Sequence, residues 1–243
     1  MNKIAVWTYY KGAMRDSGVD EGATTIAYVP EKGWFWYIPL ADDVLSVGVV
    51  AEKEYLYRDA KEPQEIFHRE VAKNTWLTEH LAPGKQFGPY RVTGEYSYRA
   101  QHCAMDGLVL AGDAFAFLDP VFSSGVFLAL RSGEMAAEAV HAALSANDVS
   151  AERFSEYGKQ LCYGIESMRK LVYAFYDHEF SFRVFVDTYP QMKGDITDCL
   201  MGNLFREFDP LFRAVAEFAK VPPPLSYGRP AILVPAQSSI VQP

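Results

Sequence analysis

An α+β fold is predicted by the order in which strand-like and helix-like segments follow one another along the chain. The first fifty residues consist of β-branched and aromatic runs separated by turn residues. An apolar run at 107–111 then leads through a loop into a helical pattern at 124–145, and the residues after 147 are mainly helical. Strands and helices that alternated throughout would predict a parallel sheet, and this order does not. We therefore expect an antiparallel sheet, one strand–loop–helix unit and a helical C-terminal region.

Composition narrows the class of protein before any motif is considered. The chain has 243 residues, of which 49% are hydrophobic and 22% charged, so it can bury a core without disulfides or metal. Its net charge of −8 argues against nucleic acid or an anionic membrane as the main partner. The spacings of Cys103, Cys162 and Cys199 fit no zinc site, and the cysteine usage suits a reducing, cytoplasmic compartment. No apolar run is long enough for a stable membrane span.

The N-terminal sheet is predicted from four runs rich in aromatic and β-branched residues. These strands are expected at 4–10, 23–30, 33–40 and 44–51. The intervening residues Glu31-Lys32-Gly33 and Asp42-Asp43 are typical of turns.

A helix is expected to begin at Pro63, because proline suits the first helical position, and to end at Pro83-Gly84. Two further strands follow at 92–101 and 107–111. The second is a short apolar run before a glycine, which is the pattern of a buried parallel strand.

The remaining segments read as helices because their apolar residues step by three and four. They are expected at 124–145, 151–177, 195–207 and from Asp209-Pro210 onward, and a proline-rich tail follows. In the first of these helices the residues that show this spacing are Val126, Leu130, Gly133, Ala137, Val140 and Leu144. The sequence therefore predicts three regions: the antiparallel sheet with its helix at residues 1–101, the strand–loop–helix unit at 102–146, and the helical region with its tail at 147–243.

The strand–loop–helix unit carries the residues that suggest chemistry. Asp113 follows the strand, where its carboxylate can accept hydrogen bonds from ribose-type hydroxyls. The amides of Ser124, Gly125 and Val126 open the long helix, where the helix dipole suits an anion or an electron-rich ring edge. Spacing alone leaves a purely structural alternative open, in which Asp113 caps a turn and Ser123 or Ser124 caps the helix.

Two motifs in this order resemble those of the flavin-dependent halogenases, a family of the FAD-dependent oxidoreductases. One motif comprises Gly112-Asp113 followed by Phe117-x-x-Pro120-x-x-Ser123-x-Gly125, and the other is Trp34-Phe35-Trp36-Tyr37-Ile38-Pro39. The tryptophans also fit a simple packed wall, because alternate residues of a strand share one face. The two interpretations of the tryptophans are compatible.

The resemblance implies FAD as the cofactor and assigns roles to particular residues. The residues implied to bind the cofactor are Gly112, Asp113, Pro120, Ser124, Gly125 and Val126. The amides of Ser124 and Gly125 are also implied to hold a halide ion. The residues implied to form the active-site wall are Trp34, Trp36, Ile38 and Pro39. In fold terms, the sheet becomes the wall of a substrate domain, and residues 102–146 contain the last strand and helix of an FAD-binding Rossmann-like domain.

The implied reaction uses reduced FAD, oxygen and halide to halogenate a small aromatic substrate, which is either free or tethered to a carrier protein. A flavin reductase is the implied source of reduced FAD. Tryptophan halogenases carry a glutamate directly before the conserved serine, where this sequence has Phe122. That difference favours a phenolic or pyrrolic substrate.

One departure from the family pattern affects the functional interpretation. The sequence contains no GxGxxG turn for the FAD pyrophosphate, so the resemblance implies the C-terminal portion of such an enzyme. The catalytic lysine of the family lies outside this portion, and no catalytic residue is assigned here. Two alternatives therefore stay open: a flavin monooxygenase or reductase of the same superfamily, and a non-catalytic remnant or binding module.

Overall fold

The computed structural model describes residues 2–29 and 33–232. The chain divides into two compact units between Glu95 and Tyr96, and each unit is described by itself. Glu31 and Lys32 of the first predicted turn lie outside the described residues, as do residues 233–243 of the proline-rich tail.

Unit 1, the part before Tyr96, is built on a five-stranded antiparallel sheet. Its strands are β1 (Lys3–Lys11), β2 (Thr25–Val29), β3 (Gly33–Pro39), β4 (Val44–Glu52) and β5 (Lys85–Gly94), in the order β2-β3-β4-β1-β5. The first four strands confirm the sequence prediction closely. Asp42 and Asp43 both have positive φ angles of 57° and 58°, which gives the tight turn that suits a two-residue hairpin between β3 and β4.

Three helices pack on one face of this sheet. They are α1 (Lys53–Leu56), α2 (Pro63–Val71) and α3 (Thr75–Leu81). The single helix predicted after Pro63 is wrong, because the Asn74 side chain accepts a hydrogen bond from the Leu77 amide at 3.0 Å and starts a second helix there. The strand predicted at 92–101 begins earlier, at Lys85, and ends at Gly94.

Alternation along the strands separates two chemically different faces. Val6, Phe35 and Val47 point to the helices and are fully buried in the core of unit 1. Trp34 and Trp36 lie on the opposite face of β3, since successive side chains alternate across a strand. The two tryptophans of the motif therefore lie on the face that the helices do not cover, whereas Phe35 belongs to the core.

Unit 2 combines short strand pairs with helices. The strands are β6 (Tyr98–Arg99), β7 (Ala104–Met105), β8 (Leu108–Val109) and β9 (Ala116–Phe117), in the pairs β6–β9 and β7–β8. The helices are α4 (Gly125–Ser145), α5 (Ser155–Tyr176), α6 (Phe182–Thr188), α7 (Lys193–Leu200) and α8 (Asp209–Val215). Within the ranges described, none of the helices has the length and apolar character needed to cross a bilayer.

Several predictions for unit 2 need correction. The apolar run at 107–111 is not a buried parallel strand, because Leu108 is 48% exposed and β8 pairs antiparallel with β7. The helix predicted at 195–207 ends at Leu200, since Gly202 adopts a φ of +88° that a helix cannot continue. The short helix α6 was not predicted.

The helix predicted at 124–145 is confirmed as α4, but the residues whose spacing predicts it do not mark its buried face. Val126 and Leu130 are 74% and 72% exposed, whereas the side chains of Leu128 and Met135 are buried. Helix α4 carries apolar residues around most of its circumference, so a stripe at helical spacing can be drawn on either side. The buried side is the one that packs with α5 through Met135 and Leu161 in one hydrophobic cluster.

Candidate functional site

The turn that follows β8 is held tightly against α4. Gly112 has a φ of +55°, and a Cβ at this position would lie 3.1 Å from the Cβ of Ala129. The Gly112 amide donates a hydrogen bond to Ser132 Oγ at 2.7 Å. A glycine is required here, because the backbone is left-handed and the facing helix leaves little room for a side chain.

The next residue, Asp113, presents a carboxylate without a competing partner. Its side chain is exposed, and no group within the described part of the chain bonds or pairs with the carboxylate. Its backbone carbonyl accepts a hydrogen bond from the Tyr98 hydroxyl. The carboxylate therefore does not cap the turn, and it is free to accept hydrogen bonds from a ligand.

The loop between β9 and α4 ends in a backbone conformation that gathers amide groups. Residues Pro120–Phe122 form one 3-10 turn, which Asp119 caps by accepting from the Val121 amide at 3.0 Å. Ser123 then adopts φ 53° and ψ 30°, and Ser124 adopts φ −81° and ψ −8°. A left-handed residue followed by a right-handed one is the alternation that forms an anion-binding nest of backbone amides.

The start of α4 adds further free donors at the same place. Within the residues described, the amides of Ser124, Gly125 and Val126 have no acceptor, and Ser124 makes no side-chain capping bond. A Cβ added at Gly125 would meet no atom within 4 Å, so the backbone there is open to a ligand. The structural alternative, in which Ser123 or Ser124 caps the helix through its side chain, is therefore not what the structure contains.

The second predicted motif forms an aromatic surface on β3 of unit 1. The ring centroids of Trp34 and Trp36 are 6.1 Å apart, and Trp7 on β1 lies 6.2 Å from Trp36. Trp36 Nε1 donates to Ser46 Oγ at 3.1 Å. Gly48 pairs with both tryptophan-bearing strands, and a side chain at this position would collide with the Trp36 ring. The sequence is thus arranged to keep these indoles side by side.

The predicted site residues fall into two groups. All six residues assigned to cofactor binding lie between 112 and 126 in unit 2, where α4 contacts the Gly112 turn directly. The four residues assigned to the wall lie on β3 in unit 1, with Trp34 buried and Trp36, Ile38 and Pro39 half-buried.

Sequence reasoning missed three residues that shape the 112–126 segment. The Ser132 hydroxyl accepts a hydrogen bond from the Gly112 amide, and Ser132 is only 2% exposed. Asp119 caps the 3-10 turn and is contacted by the Tyr176 hydroxyl at the end of α5. Two features of the sequence could have pointed to these residues. One is a serine within an apolar helix, and the other is an aspartate directly before a proline, where it can cap a turn.

Other side-chain clusters in the described residues do not compete with this site. No group of three or more His, Cys, Asp or Glu side chains there is arranged to hold a metal ion. A cavity of about 580 Å³ lies along α5 and is lined in part by Tyr163, Phe205 and Tyr227, but no residue of the 112–126 segment lines it.

Comparison with known proteins agrees with the motifs. A profile described as tryptophan halogenase matches residues 12–183. A 1H-pyrrole-2-carbonyl peptidyl-carrier-protein chlorinase from Pseudomonas fluorescens is 32% identical over 172 residues, covering 71% of this chain and 38% of the chlorinase. A tryptophan 2-halogenase from Chondromyces crocatus is 34% identical over 180 residues, covering 72% of this chain and 34% of that enzyme.

The fold comparison also finds a flavin-dependent halogenating enzyme. The structure of the flavin-dependent brominase Bmp2 is similar with a TM-score of 0.76 and 29% identity, covering 88% of this chain and 55% of the brominase. The chain spans about a third of the length of the curated relatives described above, which is 38% of one and 34% of the other.

Proposed function

We propose that residues 112–126 bind FAD and a halide ion for the halogenation of an aromatic substrate. The basis is the family of the chain, which belongs to the tryptophan halogenases. The family match covers more than half of the chain and includes both motifs. The relatives named above are pyrrole and tryptophan halogenases, and the proposal extends their type of reaction to this chain.

The observation that carries this proposal is the set of unoccupied hydrogen-bonding groups at one place in unit 2. Asp113 offers an acceptor for the hydroxyls of a ribityl chain, and Gly112 lets the backbone approach closely. The Ser123 amide donates to the Pro120 carbonyl at 2.8 Å, and the next two amides of the nest, those of Ser124 and Gly125, offer donors for an anion. Acceptors and donors of these two kinds fit a flavin with a halide beside it.

Each residue then has a defined part in the reaction. When bound in its reduced state, FAD supplies the oxygen chemistry that converts a halide ion to a halogenating reagent. The amides of Ser124 and Gly125 orient the halide, and the positive end of the α4 dipole stabilises its charge. The amides of Gly125 and Val126 would hold the polar edge of the flavin ring. Pro120 fixes the loop that leads to them.

The substrate class is inferred from Phe122 and from the aromatic surface of β3. Phe122 stands where tryptophan halogenases carry a glutamate, and this difference favours a phenolic or pyrrolic substrate over tryptophan. We assign Trp34, Trp36, Ile38 and Pro39 to the wall of the substrate compartment. The corresponding partners are an aromatic substrate, either free or carrier-tethered as in the relative that acts on a carrier-bound pyrrole, and a flavin reductase, which the family resemblance implies as the source of reduced FAD.

A flavin titration with matched variants tests the proposed cofactor site. FAD is titrated into the protein, into Asp113→Ala and into Glu138→Ala, which removes an exposed carboxylate of α4. We expect saturable binding that Asp113→Ala weakens about tenfold or more, since a hydrogen bond to a charged group has that worth. Glu138→Ala should match the parent protein. Equal weakening by both variants, or no binding by the parent, would contradict the assignment.

A product assay separates halogenation from the other flavin reactions. The protein is supplied with reduced FAD, oxygen, bromide and a phenol or pyrrole, and products are examined by mass spectrometry for the bromine isotope pattern. Hydroxylated product that forms independently of bromide would favour the monooxygenase alternative. Flavin binding without any product would favour a chain that acts only together with a further protein segment.

A further inference from the structure

We propose that Asp119 and Tyr176 are a positioning pair that holds the nest at Ser123-Ser124 in its halide-binding conformation. The inference deepens the proposed function and rests on it. Neither residue belongs to the motif positions assigned to cofactor or halide, and neither touches the reacting atoms in this account. They act through the backbone between Asp119 and Gly125.

The carboxylate of Asp119 joins two parts of unit 2. It is 6% exposed, and its Oδ1 accepts from the Val121 amide at 3.0 Å. The Tyr176 hydroxyl lies 3.1 Å from both carboxylate oxygens, although Tyr176 is 57 residues further along the chain. A hydrogen bond to an ionised acceptor is among the strong ones, particularly away from water.

The loop needs such support because of its backbone conformation. Ser123 is one of the few non-glycine residues in the described ranges with a positive φ, and left-handed geometry is unfavourable for an L-residue. Such a conformation persists only where the surroundings enforce it. Asp119 caps the turn directly before Ser123, so fixing the carboxylate also fixes the point where the backbone reverses its hand.

The same end of α5 holds the loop through a second contact. The Phe122 ring packs edge-on against Phe175 with centroids 5.6 Å apart, and Phe175 directly precedes Tyr176. The Phe182 ring also packs edge-on against Phe122, with centroids 6.3 Å apart. The apolar contacts place the loop, and the Asp119–Tyr176 bond adds the directional restraint that packing alone does not give.

Removal of the Tyr176 hydroxyl should therefore weaken halide binding without touching the halide. The loop would then populate conformations in which the Ser124 and Gly125 amides diverge, and apparent affinity falls in proportion to the competent fraction. We expect Tyr176→Phe to weaken bromide binding by roughly fivefold to thirtyfold, which is less than the full effect of a lost hydrogen bond to a charged group because the pair acts on the halide only through the loop. The Phe122 contacts persist in this variant.

The test is a bromide titration at constant ionic strength, followed by the amide resonances of Ser124 and Gly125 in the full chain labelled with ¹⁵N-serine and ¹⁵N-glycine. Tyr176→Phe is compared with Tyr173→Phe, which removes a phenol hydroxyl from the same helix one turn earlier. Asp119→Asn is the second variant and is used if Tyr176→Phe fails to fold. It keeps an acceptor for Val121 but loses the charge.

Each outcome bears on one of the two claims. Saturable shifts in the parent that need several-fold more bromide in Tyr176→Phe or Asp119→Asn, but not in Tyr173→Phe, would support the positioning pair. Equal affinity in the parent and in the pair variant that is measured would overturn the pair and leave the halide site intact. Equal weakening in Tyr173→Phe would also overturn it, as a general effect on α5. No saturable shift in the parent would overturn the proposed halide site, and the positioning pair with it.

Discussion

Replacing Ser132 with alanine removes the side chain that joins α4 to the Gly112 turn. The Ser132 hydroxyl accepts from the Gly112 amide at 2.7 Å and donates to the Leu128 carbonyl at 2.6 Å. The side chain is 2% exposed, so water cannot readily replace it. The variant therefore leaves the Gly112 amide without its acceptor, while the Leu128 carbonyl keeps its backbone bond within the helix.

The expected magnitude follows from these contacts. A buried donor that loses its acceptor costs about 1–3 kcal/mol. Alanine has a higher helix propensity than serine and returns about 0.5 kcal/mol. Ser132→Ala should therefore lower the free energy of unfolding by about 0.5–2.5 kcal/mol. If the Gly112 turn binds FAD, its loosening should also raise the dissociation constant for FAD by up to about tenfold.

Urea unfolding followed by circular dichroism measures the first effect, and an FAD titration measures the second. Ser145→Ala is the matched control, because Ser145 is the exposed last residue of α4 and its side chain bonds to nothing in the described ranges. The control should change stability by less than about 0.5 kcal/mol. If Ser132→Ala and Ser145→Ala had equal stability, the hydrogen bond to Gly112 would not be what anchors the turn.

Three further predictions concern the two units. Leu128→Ala should lower the free energy of unfolding by about 2–5 kcal/mol and Leu130→Ala by less than about 0.5 kcal/mol, because the Leu128 side chain is 8% exposed and that of Leu130 is 72% exposed. If chemical denaturation ranked the two variants the other way round, the orientation of α4 would be refuted. Burial raises the pKa of Glu70, but hydrogen bonds from two arginines and a tyrosine outweigh it and hold the pKa below its ordinary 4.5. Because the pKa of Glu70 is depressed in the folded protein, the stabilisation by its carboxylate is present above pH 4.5 and is lost as the pH falls below that value. In Glu70→Gln the free energy of unfolding should therefore fall less steeply with decreasing pH than in the parent. Equal pH dependence of the two proteins would count against the network. Burial raises the pKa of Cys103 and of Cys199 to about 12, so neither thiol should be alkylated at pH 8 while the protein is folded. Mass spectrometry of the alkylated protein tests this, and modification of either cysteine without unfolding would contradict it.

The sheet of unit 1 was the most predictable part of the fold, because local signals suffice for it. Its strands combine aromatic and β-branched residues with clear turns, as at Asp42-Asp43. The face that α4 buries was not predictable in the same way. Apolar residues lie on both sides of this helix, with Leu128 inside and Leu130 outside, and spacing cannot choose between them.

The candidate site shows the same division between local and distant information. Motif and helix position placed the free amides at Gly125, because every helix start has unpaired donors. The left-handed Ser123 was not foreseeable, since a serine rarely adopts that conformation. The contacts from Ser132 to Gly112 and from Tyr176 to Asp119 join residues 20 and 57 positions apart, and no local pattern encodes such pairs.

The most direct test of the central claim is crystallographic. Crystals of the protein grown with FAD are soaked in bromide, and the anomalous signal locates the halide independently of the protein atoms. The account predicts a flavin whose ribityl chain contacts Asp113 and a bromide ion held by the amides of Ser124 and Gly125. A flavin bound away from residues 112–126, or a bromide site elsewhere beside a bound flavin, would contradict it.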